Sequence, residues 1–391
     1  MRKILFIVIL ILVCTALTAQ VTYYGSARVG FWYDMTDEDY NYFQTGIKQN
    51  RTSYNQSLQE DSHLGINITH WNLTAKAEFG YNSYNNSIKF DYLWARRDFR
   101  NWAVVVGRDD FGSRLLANQV YRSGLGLDGY GGLTTGPVDQ VRLEVRADRD
   151  LFYLAFIKPE ISLPVHYTND YVLIDPTPGI EMFYVDRFMP RIMIGYNVRR
   201  DHFTLKPMFM YQAFILNDDL MANNKSYDNI KVSWLFAVTN EFHLLDDRLN
   251  LRLHAHHGQN IGNMGMGGDF SRMVGEIYIR HAHSVPTLNT AHALCIGAHF
   301  TASYDFCENF NMTTGIGYAT SSTTSDRIIY NPDDWFYKHH DDRLAFYVQG
   351  VKRINNFSII PEMGMFFERK NQFGWEQGNK MYIGTQLRFD F

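Results

Sequence analysis

The stretch 381–391, MYIGTQLRFDF, decides the fold. Met381, Ile383, Thr385, Leu387, Phe389 and Phe391 share one parity, and Tyr382, Gly384, Gln386, Arg388 and Asp390 share the other. Alternation with a period of two is the period of a β-strand. In a soluble sheet the apolar face would cover a core. In a membrane barrel it would face lipid while the polar face lines a lumen. The chain ends on this strand without a tail. A barrel accounts for that, because its last strand must pair with the first to leave no open edge. Leu387, Phe389 and Phe391 are therefore expected on the lipid face of a barrel-closing strand, with the final Phe in an aromatic girdle.

The other end of the sequence agrees. Arg2 and Lys3 precede an apolar run over 4–13, followed by CTALTAQ with small residues suited to cleavage after Ala19. This pattern predicts a secretory signal peptide over 1–19, since the apolar run is too short to span a bilayer comfortably. Residues 20–391 would form the exported domain. No second apolar run is long enough for a transmembrane helix. Aromatic residues make up 15% of the chain, and its net charge is −4. Loss of Arg2 and Lys3 would make it more acidic, which leaves no footprint for nucleic acid. Cys295 and Cys307 would survive cleavage, but a strand run of about 30 Å would separate them, beyond disulfide reach.

Fifteen further stretches alternate in the same way: 22–33, 63–69, 73–81, 87–95, 101–108, 140–147, 151–158, 191–198, 203–212, 229–238, 248–256, 292–303, 310–319, 343–351 and 357–367. The stretch 151–158 is apolar on both faces. Short connections alternate with mostly longer ones, and the longer ones hold most of the Gly, Pro, Asp and Asn. Short turns on one side and long loops on the other are the pattern of outer-membrane barrels. The sequence therefore predicts an all-β, transmembrane, antiparallel up-and-down barrel of sixteen strands, with both termini on the turn side. One stretch, 275–283, also alternates. Were it to span, with a partner near 180–188, the count would be eighteen.

The stretch WARRDFRNWAVVVGRDDFGSRLL (94–116) carries a resemblance. An aromatic strand, a short turn, a strand ending in Gly-Arg and then a long loop resemble the general Gram-negative porins. In that family the third long loop folds into the barrel and narrows the pore. LGLDGYGGL (125–133) looks like a degenerate form of the family's loop-tip motif; the Pro-Glu pair of that motif is missing, and Asp128 is the nearest acid. The resemblance implies an outer-membrane location, contact with membrane lipid and lipopolysaccharide, delivery to the barrel-assembly machinery through the C-terminal strand, and a homotrimer. It implies no cofactor. Other channels share the outline, so a substrate-specific transporter of the oligosaccharide, phosphate or fatty-acid type, or an adhesin-like barrel with a closed lumen, stays open beside the general porin.

A barrel of this size leaves an aqueous channel, and its inward residues set selectivity. The polar parity of the strands places Arg28, Lys76, Lys89, Arg142, Arg146, Arg191, Lys206, Lys231, Arg252, Arg343 and Arg388 inward, with Glu78, Asp91, Glu144, Glu362 and Asp390. Cations outnumber acids there, so the remaining acids are expected in loops such as 34–40 and 331–335, and a mild preference for anions follows. The competing reading is a wall of paired charges with no net selectivity. Asp109, Asp110, Arg114, Arg122 and Asp128 of the third loop are expected to face that wall at the constriction. Histidines cluster at 254–257, 281–283 and 339–340. His254 and His256 share a strand face, but no Cys or carboxylate completes a ligand set of known spacing, so no metal is assigned. No catalytic residue is assigned either. Ser303 and His299 share a parity, but no nucleophile motif such as G-x-S-x-G occurs.

Overall fold

The computed structural model describes residues 19–60, 62–82, 87–110, 119–121, 127, 130–133, 136–159, 165–167, 185–186, 189–216, 230–264, 266, 277–282, 285–289, 293–323, 340–370 and 376–391. Residues 1–18 of the predicted 1–19 leader, and the loop residues Arg114, Arg122 and Asp128, lie outside them.

The chain opens with β1 (Gln20–Thr36), a short helix α1 (Glu38–Thr45), β2 (Arg51–Leu58) and β3 (His63–His70). Then follow β4 (Leu73–Asn82), β5 (Ser87–Asp98), β6 (Trp102–Asp109), β7 (Val138–Ala147), β8 (Asp150–Ile157), β9 (Val165–Tyr167), β10 (Val185–Asp186) and β11 (Arg191–Arg199). The second half comprises β12 (Phe203–Leu216), β13 (Ile230–Leu244), β14 (Leu249–Gln259), β15 (Ile277–Ala282), β16 (Val285–Asn289), β17 (Ala293–Cys307), β18 (Phe310–Thr323), β19 (His340–Ile354), β20 (Phe357–Lys370) and β21 (Glu376–Asp390).

Eighteen of these segments form one sheet that closes on itself. Two of its strands are each split. β2 and β3 both pair with β1, with Val29 opposite Leu58 and Ser26 opposite His63, so they are two halves of one strand. β10 and β11 both pair with β12 in the same way. The barrel thus has sixteen antiparallel strands in up-and-down order. Closure falls where the sequence placed it: β21 pairs with β1 from Ser26 opposite Asp390 to Thr36 opposite Lys380. The last residue completes the seam, since Phe391 N–H donates to Gly25 O at 3.0 Å and Gly25 N–H to Phe391 O at 2.8 Å.

The alternation predicted in each strand becomes two walls. Phe209, Phe236, Leu253, Ile296, Ile316, Phe346, Met363 and Ile383 stand exposed outside, and their chain neighbours point inward. Aromatics gather at the turn end. Trp71 is 90% exposed, Phe99 stacks on Trp102 at 3.8 Å, and Phe389 stacks on Phe391. Rings at this level suit the interface between hydrocarbon and head groups.

Three expectations are corrected. The stretch 34–62 is not one long loop. β1 continues to Thr36 and β2 extends the second strand, leaving α1 and a few residues between. The polar stretch RTSYNQSL of β2 shows no lipid-facing parity, so it carried no strand signal. The segment 277–282 does not span: β15 pairs with β16 and β9 in a separate three-stranded sheet, and 185–186 belongs to the β11 strand, which leaves sixteen strands. Asp34, assigned to an acidic loop, is a buried inward residue of β1. Cys295 and Cys307 are free, the first buried and the second exposed.

The two walls respond differently to charge. Phe346→Arg, mid-strand on the outer face, is expected to lower folding stability in lipid vesicles by about 2–4 kcal/mol, whereas Ile354→Arg beside a turn costs about 0–1 kcal/mol. Urea titration of folded and unfolded fractions measures both.

Candidate pore and its third loop

The inner wall has sectors of distinct chemistry. On β4, β5 and β7 a cation and an acid recur two residues apart, which puts both on the inward face. Lys76 meets Glu78 at 3.0 Å, Lys89 meets Asp91 at 3.5 Å, Arg96 meets Asp98 at 3.0 Å and Arg142 meets Glu144 at 2.9 Å. Cross-strand bonds join the pairs: Arg96 reaches Glu144 at 2.6 Å and Arg146 reaches Asp98 at 3.4 Å. The same motif closes β21, where Arg388 meets Asp390 at 3.1 Å. Farther round, Glu241 takes Lys206 at 3.1 Å and Arg252 at 3.2 Å.

Several partners in this network were missed in the sequence. Asp98 and Glu241 sit near strand ends, outside the stretches whose parity was read, and Asp109, read as a loop residue facing the wall, is the last residue of β6. Once they are included, the inward excess of cations is largely paired. Arg28 Nε donates to Ser26 Oγ at 3.0 Å, Arg191 Nε donates to Gln212 Oε1 at 2.8 Å, and Arg343 lies 6.0 Å from the centre of the Tyr130 ring. The side chain of Lys231 lies outside the described residues.

The next sector of the wall, which begins at the neighbour of β7, is apolar. Tyr153, Ala155 and Ile157 of β8, Met193 of β11, Met208 and Met210 of β12, and Leu235 and Ala237 of β13 form one buried cluster with Cys295. Two loops reach in to cover it: Leu133 from the third long loop, and Ile261, Met264 and Met266 from the segment after β14. Water therefore reaches the two sectors unequally. The side chains of Lys89 and Arg146 are 41% and 55% exposed, whereas Met193 and Met210 are 0% exposed.

The third long loop leaves β6 and crosses to the far wall. Its root is fastened by Arg142, which donates to Asp109 Oδ2 at 2.8 Å and to Asp110 O at 2.9 Å. Gln140 Nε2 donates to both backbone carbonyls, and Tyr92 OH donates to Asp110 Oδ2 at 2.8 Å. Asp109 and Asp110 thus extend the charged wall at the loop's origin instead of opposing it from a tip. Of the remaining predicted loop residues, Arg114, Arg122 and Asp128 lie outside the described residues.

The far anchor is Glu362 of β20, which is buried. Its carboxylate accepts from Val120 N–H at 2.7 Å, Tyr121 N–H at 3.2 Å and Tyr382 OH at 2.8 Å. Tyr121 OH donates to Asp34 Oδ1 at 2.5 Å, and its ring stacks on Tyr382 at 3.8 Å and meets Trp32 edge-on. Lys380 holds Asp34 at 3.4 Å. Farther along, Tyr130 OH donates to Glu368. The backbone then presses on β17 and β18 at Gly131, whose φ of +92° suits glycine. A Cβ there would strike the carbonyl of Ala298, and one at Gly317 would strike the carbonyl of Tyr130. Sequence reading placed Glu362 on the inner wall; its service as a clamp for two loop amides needs the tertiary fold.

Ser303 and His299 both point inward, but each has another partner. Ser303 Oγ is 2.8 Å from Thr313 Oγ1, and His299 Nδ1 is 3.3 Å from Gly131 O. They make no nucleophile–base pair.

No protein-family model matches the chain, and no curated protein sequence matches it. Solved structures do. The outer-membrane channel DcaP of Acinetobacter baumannii is 13% identical, with a TM-score of 0.66 over 96% of this chain and 98% of that one. OmpT of Vibrio cholerae, in a trimer form, is 11% identical, with a TM-score of 0.57 over 96% of this chain and 100% of that one. An anion-selective porin from Comamonas acidovorans is 9% identical, with a TM-score of 0.57 over 95% of this chain and 100% of that one. The fold is therefore that of the outer-membrane porins and channels.

The clamp has a local consequence. Glu362→Ala leaves two loop amides without their acceptor, a loss of about 1–3 kcal/mol. Hydrogen exchange at Val120 and Tyr121 is expected to accelerate by about ten- to a hundredfold, with little change in the strand amides.

Proposed function

We propose that the protein is an outer-membrane channel for passive diffusion of ions and small polar solutes, exported through cleavage of residues 1–19 and working as a homotrimer without cofactor or catalysis. One observation carries this reading. The third loop is held against the far wall, while the wall of β4, β5 and β7 keeps charged side chains open to water. A charged, solvated strip beside a folded-in loop is a passage for hydrated solutes. Trimeric assembly rests on the family resemblance and on the trimer form of the Vibrio cholerae OmpT.

The preference for anions is mild, because most inward cations have a carboxylate within ion-pair distance. Paired charges in water exert weak fields beyond about 8–10 Å. The pairing arranges cations and acids along the passage so that polar solutes slide past both. Lys89→Gln with Arg146→Gln removes the two most exposed cations of the strip and leaves their acids in place. The reversal potential of single channels under a KCl gradient is expected to shift toward cations in this variant. A potential equal to that of the unaltered protein would show that ions do not pass along this wall.

A second reading has its own observation. The apolar sector of β8 and β11–β13, rich in methionine, would suit a passage specific for an apolar or amphipathic substrate, because thioether side chains adapt to irregular shapes. Saturable binding of a long-chain fatty acid to the folded barrel, lost in Met210→Gln, would favour this reading over the open channel.

A further inference from the structure

Three buried histidines meet on the inner wall where the third loop touches it. His254 and His256 stand two apart on β14, and His299 on β17 is the register partner of His254. Residues two apart on one strand face lie about 6.6 Å from each other, and directly opposed residues about 4.5–5.5 Å. That spacing lets three imidazoles reach one ion. Each residue is at least 94% buried, with exposures of 0%, 6% and 2%.

The outward nitrogens of two rings are already engaged. His254 Nδ1 is 3.1 Å from Thr239 Oγ1. His299 Nδ1 faces the carbonyl oxygen of Gly131 at 3.3 Å. A carbonyl only accepts, so His299 carries its proton on Nδ1 and presents a lone pair at Nε2. That Nε2 is buried and has no hydrogen-bond partner. His254 Nε2 lies 3.3 Å from His256 Nδ1, about the separation of two nitrogens that share a tetrahedral ion at about 2.0–2.1 Å. An imidazole whose second nitrogen is tied to a hydroxyl or carbonyl is the usual support of a metal ligand.

We propose that His254, His256 and His299 form a three-histidine site for a divalent metal of the zinc class, with a fourth position open, at the contact between the third loop and the wall. Imidazole donors without carboxylate or thiolate suit zinc, copper and nickel over calcium or magnesium. The rings do not converge as they stand. Their centroids are 5.4 and 5.0 Å apart with planes tilted by 35° and 33°, and among the described residues no group is arranged as a ready-made cage. Binding therefore turns the ring of His256 about its side-chain bonds and tilts that of His299 about its Nδ1 contact with Gly131. Space for His256 comes from Gly297, where a Cβ would strike its ring. Arg252, two residues before His254 on the same face of β14, is ion-paired with Glu241. Because His299 also holds Gly131, an ion here fastens the third loop and lowers conductance. That second effect rests on the channel reading, while metal binding does not.

The test uses folded full-length barrel in detergent, with His281, His283, His339 and His340 replaced by Gln to remove the other histidine pairs. Cobalt(II) is the probe, because its visible absorption reports four-coordinate nitrogen ligation. The expected result is one cobalt per chain, displaced by zinc. His254→Ala or His299→Ala should abolish it. Thr239→Val, which keeps all three ligands and alters only the support, should weaken binding about 10–100-fold. Heat-modified gel mobility checks that each variant folds. No cobalt binding by the four-Gln protein overturns the proposal even if the histidine variants do not fold, and so does binding that persists in folded His254→Ala and His299→Ala. If cobalt binds but zinc leaves the single-channel conductance unchanged, the site stands and its effect on the loop is wrong.

Discussion

Every backbone amide that crosses hydrocarbon must find its partner within the protein, because lipid offers none. For this chain the requirement becomes one seam, the pairing of β21 with β1 that ends in the reciprocal bonds of Gly25 and Phe391. With the sheet closed, each strand has two fixed faces, and a one-residue slip would exchange lipid and lumen along its whole length. The alternation of Met381 to Phe391 is therefore a statement about environment. The same constraint lets the two connection ends differ. Turns can be short at one end, while loops at the other are long enough to fold back inside.

The loop that folds back turns a wide barrel into a structured interior. It is fixed at its root by Arg142 and Gln140, at the far wall by Glu362, Asp34 and Tyr382, and along β17 and β18 by glycines that admit its backbone. The Glu362 carboxylate is buried but accepts three hydrogen bonds, which offsets much of the cost of its desolvation. The consequence is an asymmetric lumen. One sector is filled by methionine and aliphatic side chains, one keeps a solvated strip of ion pairs, and one carries the histidines.

What could be read from the sequence followed what physics demands of single strands. Strands in lipid must alternate, so all sixteen were visible from parity. Those parts that stand beyond the membrane need not alternate, and β2, with RTSYNQSL, passed for loop. Parity also placed Arg142, Glu144 and Glu362 inward. It did not show what they hold, because Glu144 answers Arg96 from another strand and Glu362 answers amides 242 and 241 residues away in sequence. The inward charge count erred for a related reason. Asp34, Asp98, Asp109 and Glu241 sit near strand ends, where parity is hardest to read, yet each neutralises a wall cation. His299 joins His254 only through the β14–β17 register, which no local pattern contains.

In the proposed channel the third loop divides a water-filled barrel. The most direct measurement is single-channel conductance in planar bilayers, comparing the intact protein with a form in which residues 111–135 are replaced by a short Gly-Ser link. Steady open steps are expected from the intact barrel, and larger steps once the loop is gone. Absence of conductance from both, with each shown to be folded, would mean that the interior is closed by more than this loop and would contradict the channel.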